Sequence, residues 1–256
     1  MAKPQTLLNS VDDTPTDEFA GGLGIGHRAR RLSAQFGGKE ALEILDEAIN
    51  RLFPGKIALV SSFGAESAAL LKLVADVAPA TPVIFLDTGK HFAQTLNYRN
   101  SLIRKLGLAD VRNIHPQASD LEKADPKGNL WESDPDACCG IRKVRPLSGV
   151  LAGFDAWITG RKQFHGGGRA QLPVFEPSDQ HIKVNPIVRW SKQDVEEYVA
   201  THELPAHPLI AQGYPSIGCW PCTHPASDEN DPRAGRWRGA AKTECGIHEL
   251  AKKARS

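Results

Sequence analysis

The stretch IALVSSFGAESAALLKLVADV, residues 57–77, decides the fold. Ile57 to Val60 is a short apolar run with β-branched residues and reads as a buried strand. Phe63-Gly64-Ala65 turns the chain, and Glu66 to Val77 reads as a helix. A buried strand that turns into a helix is the repeating unit of a parallel α/β sheet. Such turns are where these sheets bind ligands, with backbone N–H groups and a helix N-terminus facing an anion. Ser61, Ser62 and Gly64 supply donors and close backbone approach, although a plain strand-to-helix turn fits this stretch equally well. No Gly-Lys-Ser/Thr follows, so it is not a Walker loop.

The same alternation continues outward. Upstream, Lys39 to Phe53 places Leu42, Leu45, Ile49 and Leu52 on one helical face, and Pro54-Gly55 ends that helix. Downstream, Val83 to Leu86 is a second buried strand, followed by Asp87-Thr88-Gly89-Lys90, whose polar groups suit a ribose or adenine. His91 to Leu106 reads as a helix, Val111 to Ile114 as a strand, Trp131 to Val150 as helical, and Asp155 to Thr159 as a fourth core strand. Leu172 to Phe175 and His181 to Val184 suit a short hairpin, and Ser191 with Asp194 forms a capping box for a helix through His202. The expected fold is α/β, a Rossmann-like parallel sheet flanked by helices in a single domain.

Residues 1–38 read as a polar, disordered tail; its Gly21 to Gly26 run follows acidic residues rather than a strand and reads as a linker. Residues 39–225 form the expected α/β domain, and residues 226–256 a mobile C-terminal segment. The chain of 256 residues carries a formal net charge of only +1, which gives no global pull toward nucleic acid or an anionic membrane. It has no apolar stretch of membrane-spanning length and no signal peptide, so a cytoplasmic location is expected.

Five cysteines fall as an adjacent pair, Cys138 and Cys139, a C-x-x-C pair, Cys219 and Cys222, and a lone Cys245. In a reducing compartment this pattern favours metal binding or thiol catalysis over disulfides. Cys219 and Cys222 are a chelating pair for zinc or for an iron–sulfur cluster. Adjacent side chains diverge, so Cys138 and Cys139 close awkwardly on one tetrahedral zinc but suit two irons of a cubane. The residues favour a [4Fe–4S] cluster, with zinc as the alternative. Arg142 and Lys143 follow on the same helix turn, where they would offset thiolate charge, meet an anionic substrate, or lie on solvated surface. Arg233, Arg236 and Arg238 can clamp phosphate or sulfate, or belong to a basic tail. Cys245 has Lys242 three residues before it and His248 three after, which favour a thiolate on a helix, while Glu244 opposes it. It reads as a nucleophile or as an inert surface thiol.

Taken together, SSFGAES (61–67), LDTGK (86–90), CCGIRKVRPL (138–147), WITGRK (157–162), KVNPI (183–187), GYPSIGCWPCT (213–223), GRW (235–237) and ECGIH (244–248) carry a family resemblance. The chain resembles the assimilatory adenylyl-sulfate (APS) reductases. These are kin to 3'-phosphoadenylyl-sulfate (PAPS) reductases and to the adenine nucleotide α-hydrolase-like ATP pyrophosphatases. The resemblance implies that Cys138, Cys139, Cys219 and Cys222 hold a [4Fe–4S] cluster and that Cys245 attacks the sulfate sulfur. It implies a modified phosphate loop of Ser61, Ser62, Gly64 and Glu66, and a nucleotide pocket that includes Leu86, Asp87 and Thr88. Lys143 would lie between cluster and substrate, with Arg169, Arg233, Arg236 and His248 at the phosphosulfate. The loop RKQFHGGGR after Gly160 and the stretch from Trp237 to Cys245 depart from the usual pattern, which bears on Arg169 and Arg238.

The implied reaction is reduction of APS to sulfite and AMP through an S-sulfocysteine on Cys245, in sulfate assimilation and cysteine biosynthesis. One unpaired cysteine leaves no internal resolving thiol, so thioredoxin or a glutaredoxin-like dithiol is the expected partner. Reduction of PAPS, or of both nucleotides, is the alternative, although chains of that specificity commonly lack the two cysteine pairs. A tRNA-thiolating pyrophosphatase is disfavoured by the absence of an SGGxDS-like loop, and an iron–sulfur sensor has no need of the Cys245 segment. No nucleic-acid or membrane partner is expected, and a homo-oligomer is compatible with the sequence.

Overall fold

The computed structural model describes residues 24–226, 231, 233–238 and 242–248. The expected tail over residues 1–23 and the chain past residue 248 lie outside the described residues. Six strands form one sheet: β1 (Ile57–Val60), β2 (Val83–Leu86), β3 (Val111–Ile114), β4 (Ala156–Ile158), β5 (Phe175–Ser178) and β6 (His181–Val184). Their order is β3-β2-β1-β4-β6-β5, parallel throughout except for β5, which pairs antiparallel with β6 at the edge. This is the Rossmann-like sheet that the strand–helix alternation predicts.

Helices flank the sheet: α1 (Ile25–Phe36), α2 (Ala41–Asp46), α3 (Ser67–Val77), α4 (Ala93–Leu106), α5 (Ala118–Ala124), α6 (Leu130–Ser133), α7 (Pro135–Cys139), α8 (Arg145–Leu151) and α9 (Lys192–Thr201). Strand side chains alternate between faces. Ile57, Leu59, Val83, Phe85, Ala156 and Ile158 join the larger apolar cluster, with α1 to α4. Ala58, Ile84, Leu86 and Trp157 join Leu147 and Leu151 of α8 on the other face. Both faces are covered, which is why the core strands read as continuous apolar runs rather than as alternating ones. Among the described residues no helix is long and apolar enough to cross a membrane.

Several expectations change. Residues 25–36, expected in the tail, form α1. Its Ala29, Leu32 and Phe36 are buried, Phe36 meets Phe175 at 6.2 Å between ring centroids, and Ser33 Oγ donates to the Phe175 carbonyl at 2.8 Å. In α2, Leu42 is 44% exposed rather than on the buried face. The Glu40–Glu43 capping box starts the helix at Ala41, and a π-turn over Glu47–Leu52 widens its end. The buried stripe is therefore Ala41, Ile44, Leu45, Ala48 and Ile49. The hairpin forms with its first strand at Phe175–Ser178, three residues later than read, because the turn closes at Ser178 and His181. The helix expected over 131–150 is broken into α6, α7, a π-turn at Gly140–Val144 and α8. Pro135 starts α7, with Asp134 accepting from the Ala137 N–H at 2.8 Å. Pro146 lacks the N–H that would continue an α ladder, and the widened turn comes just before it.

From β1 the chain moves outward through β2 and β3, then returns to place β4 on the other side of β1. The order thus reverses at β1, and the crevice beyond the C-terminal ends of β1 and β4 is where an open α/β sheet takes ligands.

Candidate active site

A cavity of about 240 Å³ opens at that crevice. Its floor includes Val60, Ser61, Ser62, Gly64 and Glu66 from the β1 turn, Leu86 from β2, and Trp157, Thr159, Gly160, Arg161 and Lys162 from β4 and its loop. The β1 turn is tightly made. Ser61 Oγ accepts from the Phe63 N–H at 3.2 Å, and Phe63 sits in the left-handed region at φ 48° with its ring fully buried against Phe85. Such a conformation in a bulky residue stores roughly 1–3 kcal/mol of strain and persists where packing fixes it. A Cβ on Gly64 would lie 3.2 Å from the Ile217 carbonyl, so glycine lets the turn approach the segment before Cys219. Glu66 bonds Lys162 at 2.8 Å and His165 at 3.2 Å. Burial opposes its charge, but His165 and Lys162 prevail and pull the carboxyl down to about 2. Glu66 is therefore an anion that holds Lys162 and His165 in place.

Of the two cysteine pairs, Cys219 lines this cavity. Cys138 and Cys139 end α7, and the π-turn that follows carries Arg142 and Lys143. Cys219 and Cys222 flank a turn that is strung onto the loop after β2 by a bridge to His91 and by the Trp220 N–H to the Lys90 carbonyl at 2.9 Å. Thr88 Oγ1 lies 3.3 Å from Cys219 Sγ. Burial first, and repulsion from neighbouring sulfurs after it, raise the thiols of Cys138, to about 11, Cys139 and Cys222. Cys219 also suffers burial, yet Lys143, Thr88 and Arg236 hold it below its ordinary value. No three described His, Cys, Asp or Glu side chains are gathered to hold a single ion. A tetrahedral zinc needs its sulfurs about 4 Å apart. Four thiols from two segments, near enough to repel one another and bordered by Lys143 and Arg142, fit a larger group that bridges the segments and supplies positive charge to each sulfur.

Neighbours in sequence part company here. Arg142 is buried and bonds Asp125 Oδ2 at 2.6 Å and the Thr88 carbonyl at 2.8 Å, tying the loop after β2 to the chain end of α5. Lys143 lines the cavity instead. Burial disfavours its charge, but Cys219, Cys245 and Cys139 raise the ammonium above its ordinary range.

The C-terminal segment closes the cavity. Arg236 bridges to Thr223, and the Trp237 N–H donates to the Cys222 carbonyl at 3.1 Å, so this segment is stitched to the C-x-x-C turn. Arg169, Arg233, Arg236, Trp237, Glu244, Cys245, Ile247 and His248 all line the cavity. Lys242 is paired with Asp136, beside the first cysteine pair. The His248 ring stacks on Trp157 at 5.7 Å with an interplanar angle of 3°, and Lys183 Nζ donates to the His248 carbonyl at 3.2 Å. Burial first, then Arg161, Lys183, Arg169 and Arg233, push the His248 imidazole well below its ordinary value, so it is neutral at pH 7.

Of the residues picked from the sequence, Ser61, Ser62, Gly64, Glu66, Leu86, Lys143, Arg169, Arg233, Arg236, Cys219, Cys245 and His248 share this cavity. Cys138, Cys139 and Cys222 are not among its lining residues. Thr88 is fully buried beside Cys219 rather than facing the cavity, and Asp87 accepts from the Gly89 N–H at 3.1 Å at the loop surface. The sequence reading missed Arg161, which pairs with Glu176, and Lys183, which meets the same carboxylate at 2.7 Å. Burial, then Arg169, lower Arg161 to about 10.

Residues 56–225 match the phosphoadenosine phosphosulfate reductase domain. The chain is 46% identical over 250 residues to the adenosine 5'-phosphosulfate reductase of Mesorhizobium japonicum, covering 97% of this chain and 94% of that one. It is 48% identical over 221 residues to the enzyme of the same name from Chelativorans sp., covering 86% and 90%. Among solved structures it resembles the phosphoadenylyl-sulfate (PAPS) reductase of Candida auris in its phosphate complex, with a TM-score of 0.67 and 28% identity over 79% of this chain and 98% of that one. FMN adenylyltransferase of Candida glabrata, at 15% identity and a TM-score of 0.51, covers 88% of each chain and shares the fold alone. With the cavity at the switch point and a match over most of its length, the chain belongs to the phosphoadenosine phosphosulfate reductase family, as an oxidoreductase acting on sulfur.

Proposed function

We propose that the protein reduces adenosine 5'-phosphosulfate to sulfite and AMP, with Cys245 as nucleophile. The observation that carries this is the placement of a thiol, Cys245, in the same cavity as the β1 turn, Lys143, Arg169, Arg233 and Arg236. The β1 turn and Leu86 would receive the nucleotide, and the arginines and Lys143 the phosphosulfate. The Cys245 thiolate attacks the sulfate sulfur, the bond from sulfur to the bridging oxygen breaks, and AMP leaves with the electron pair. A thiolate of an external dithiol protein, thioredoxin or a similar donor, then attacks the Cys245 sulfur. Sulfite leaves with the electron pair, and the donor's second thiol resolves the mixed disulfide. The dithiol is oxidised by two electrons and sulfur(VI) becomes sulfur(IV) in balance. His248, neutral and stacked on Trp157, orients the end of the nucleophile's segment rather than adding charge.

Cys138, Cys139, Cys219 and Cys222 would hold a [4Fe–4S] cluster. When bound, it supplies an iron–sulfide group that binds the four thiolates together. Lys143, reaching Cys219 on one side and the cavity on the other, balances thiolate charge and presents an ammonium to the sulfonyl oxygens.

The test is to offer purified enzyme APS and PAPS separately without reductant. APS should add one sulfonate, roughly 80 Da as SO3, to Cys245 and release AMP once per site. Reduced thioredoxin should then discharge it as sulfite. Mass on another cysteine defeats the mechanism, and sulfonation by PAPS as fast as or faster than by APS makes the 3'-phosphorylated nucleotide a substrate in its own right.

A further inference from the structure

Glu244, the residue before Cys245, lies between two arginines of the cavity. Its Oε1 accepts from Arg169 Nε at 2.7 Å and lies 2.6 Å from Arg169 Nη2. Its Oε2 is 3.5 Å from Arg233 Nη2, and that same nitrogen donates to the Thr243 carbonyl at 2.8 Å. The two guanidinium groups come from distant parts of the chain, Arg169 from the loop after β4 and Arg233 from beyond Cys222. The carboxylate is thus held on one side by the sheet and on the other by its own segment. Arg169 spends its remaining nitrogen, Nη1, on His165 Nδ1 at 3.3 Å. Among the described residues the Arg233 guanidinium donates through Nη2 alone, and Arg236 Nε is buried with no partner. A substrate anion can therefore meet Arg233 and Arg236 while Glu244 stays in place.

We infer that Glu244 is a positioning residue for Cys245: by bonding Arg169 and Arg233 it fixes the nucleophile's backbone to the groups that receive the substrate's anion. The inference rests on the proposed role of Cys245 and deepens it. The residue on the other side of the nucleophile's segment, His248, is fixed by Lys183 and Trp157, so the Cys245 stretch is held at both ends. A carboxylate next to an attacking thiolate otherwise works against an anionic substrate, because it adds like charge. The arginine pair turns that charge into a tether.

Glu244→Gln keeps the shape and removes the charge; Glu244→Asp keeps the charge and shortens the reach by one methylene. With APS and no reductant, the saturating rate of sulfonation of Cys245 in Glu244→Gln should fall by about ten- to a hundredfold. Affinity for APS, measured by calorimetry in a Cys245→Ser background so that nothing turns over, should not weaken. Glu244→Asp should fall between the two in rate. An unchanged saturating rate in Glu244→Gln overturns the inference, as does a parallel loss of rate, affinity and thermal stability, which marks a merely structural ion pair. A several-fold gain in affinity with an unchanged rate would make Glu244 a competitor of the substrate and also overturns it. Wild-type enzyme that never gains a sulfonate on Cys245 defeats the reading of the nucleophile itself, a failure separate from all of these.

Discussion

The guanidinium of Arg236 is laid across the Cα of Gly218. A methyl group at position 218 would stand 2.7 Å from Arg236 Cζ and 3.2 Å from Nη1. The same guanidinium lies 4.4 Å from the Trp237 ring centroid and donates to Ser216 Oγ at 3.4 Å, so its place is set from both sides. Arg236→Ala is expected to lower kcat/KM for APS by about thirty- to a hundredfold, the loss of roughly 2–3 kcal/mol from a charge-assisted contact. Gly218→Ala should push the side chain aside and reproduce part of that loss, with circular dichroism unchanged. Full activity in both variants would place Arg236 outside the reaction.

Arg142 and Lys143 should respond differently to the same change. Arg142→Gln leaves Asp125, whose side chain is 1% exposed, without its partner, and should cost about 3–5 kcal/mol in urea unfolding. Lys143→Gln should change unfolding little and lower the saturating rate of Cys245 sulfonation. Equal stability losses would mean that both act as scaffold.

Glu66 gives the fold an acid limb. Its carboxyl is pulled down to about 2 from an ordinary 4.5, so its contribution is full above pH 4.5 and is lost as pH falls toward 2. That contribution is at most about 3 kcal/mol. Wild type should therefore outlast Glu66→Gln in thermal melts at pH 7, with the gap closing between pH 4.5 and pH 2. A gap that stays constant across that window would show that the carboxylate is not ionised by its partners.

Purified anaerobically, the protein should carry about four irons per chain. Cys139→Ala and Cys222→Ala should each lower iron and sulfide together, and the secondary structure should survive because both faces of the sheet are packed by other residues. Stoichiometric zinc with no iron would identify a different metal.

The parallel sheet was legible because its strands are apolar runs bounded by turns, and the run from Ile57 to Val77 contains the whole unit. Helix α1 was not. Its stripe of Ala29, Leu32 and Phe36 is interleaved with Arg28, Arg30 and Arg31, and its partner, Phe175, lies 139 residues beyond Phe36. The cysteines and the segment around Cys245 were readable because their residue types carry chemistry. Arg161, Glu176 and Lys183 were not, because the burial of a charge depends on what faces it. Glu176 and Lys183 are opposite one another in the hairpin, and a turn placed at Asp179-Gln180 would have paired them from sequence alone. The π-turn at Gly140–Val144, which sends Arg142 and Lys143 to different tasks, had only Pro146 as its signal.

Ile247, two residues past Cys245, packs on the apolar cluster beneath β1, β2 and β4, and His248 covers Trp157. Cys245 therefore rides on a piece of the core. Any partner that must draw Cys245 out of the cavity also lifts Ile247 from its packing and wets an indole that is otherwise fully buried. Cys245 is itself half-buried, and drawing it further out costs the packing of the two residues that end its segment. Backbone amides of this segment should exchange with solvent at the pace at which a reductant gains access, and a deeper-packing residue at position 247 would slow that clock without touching the chemistry.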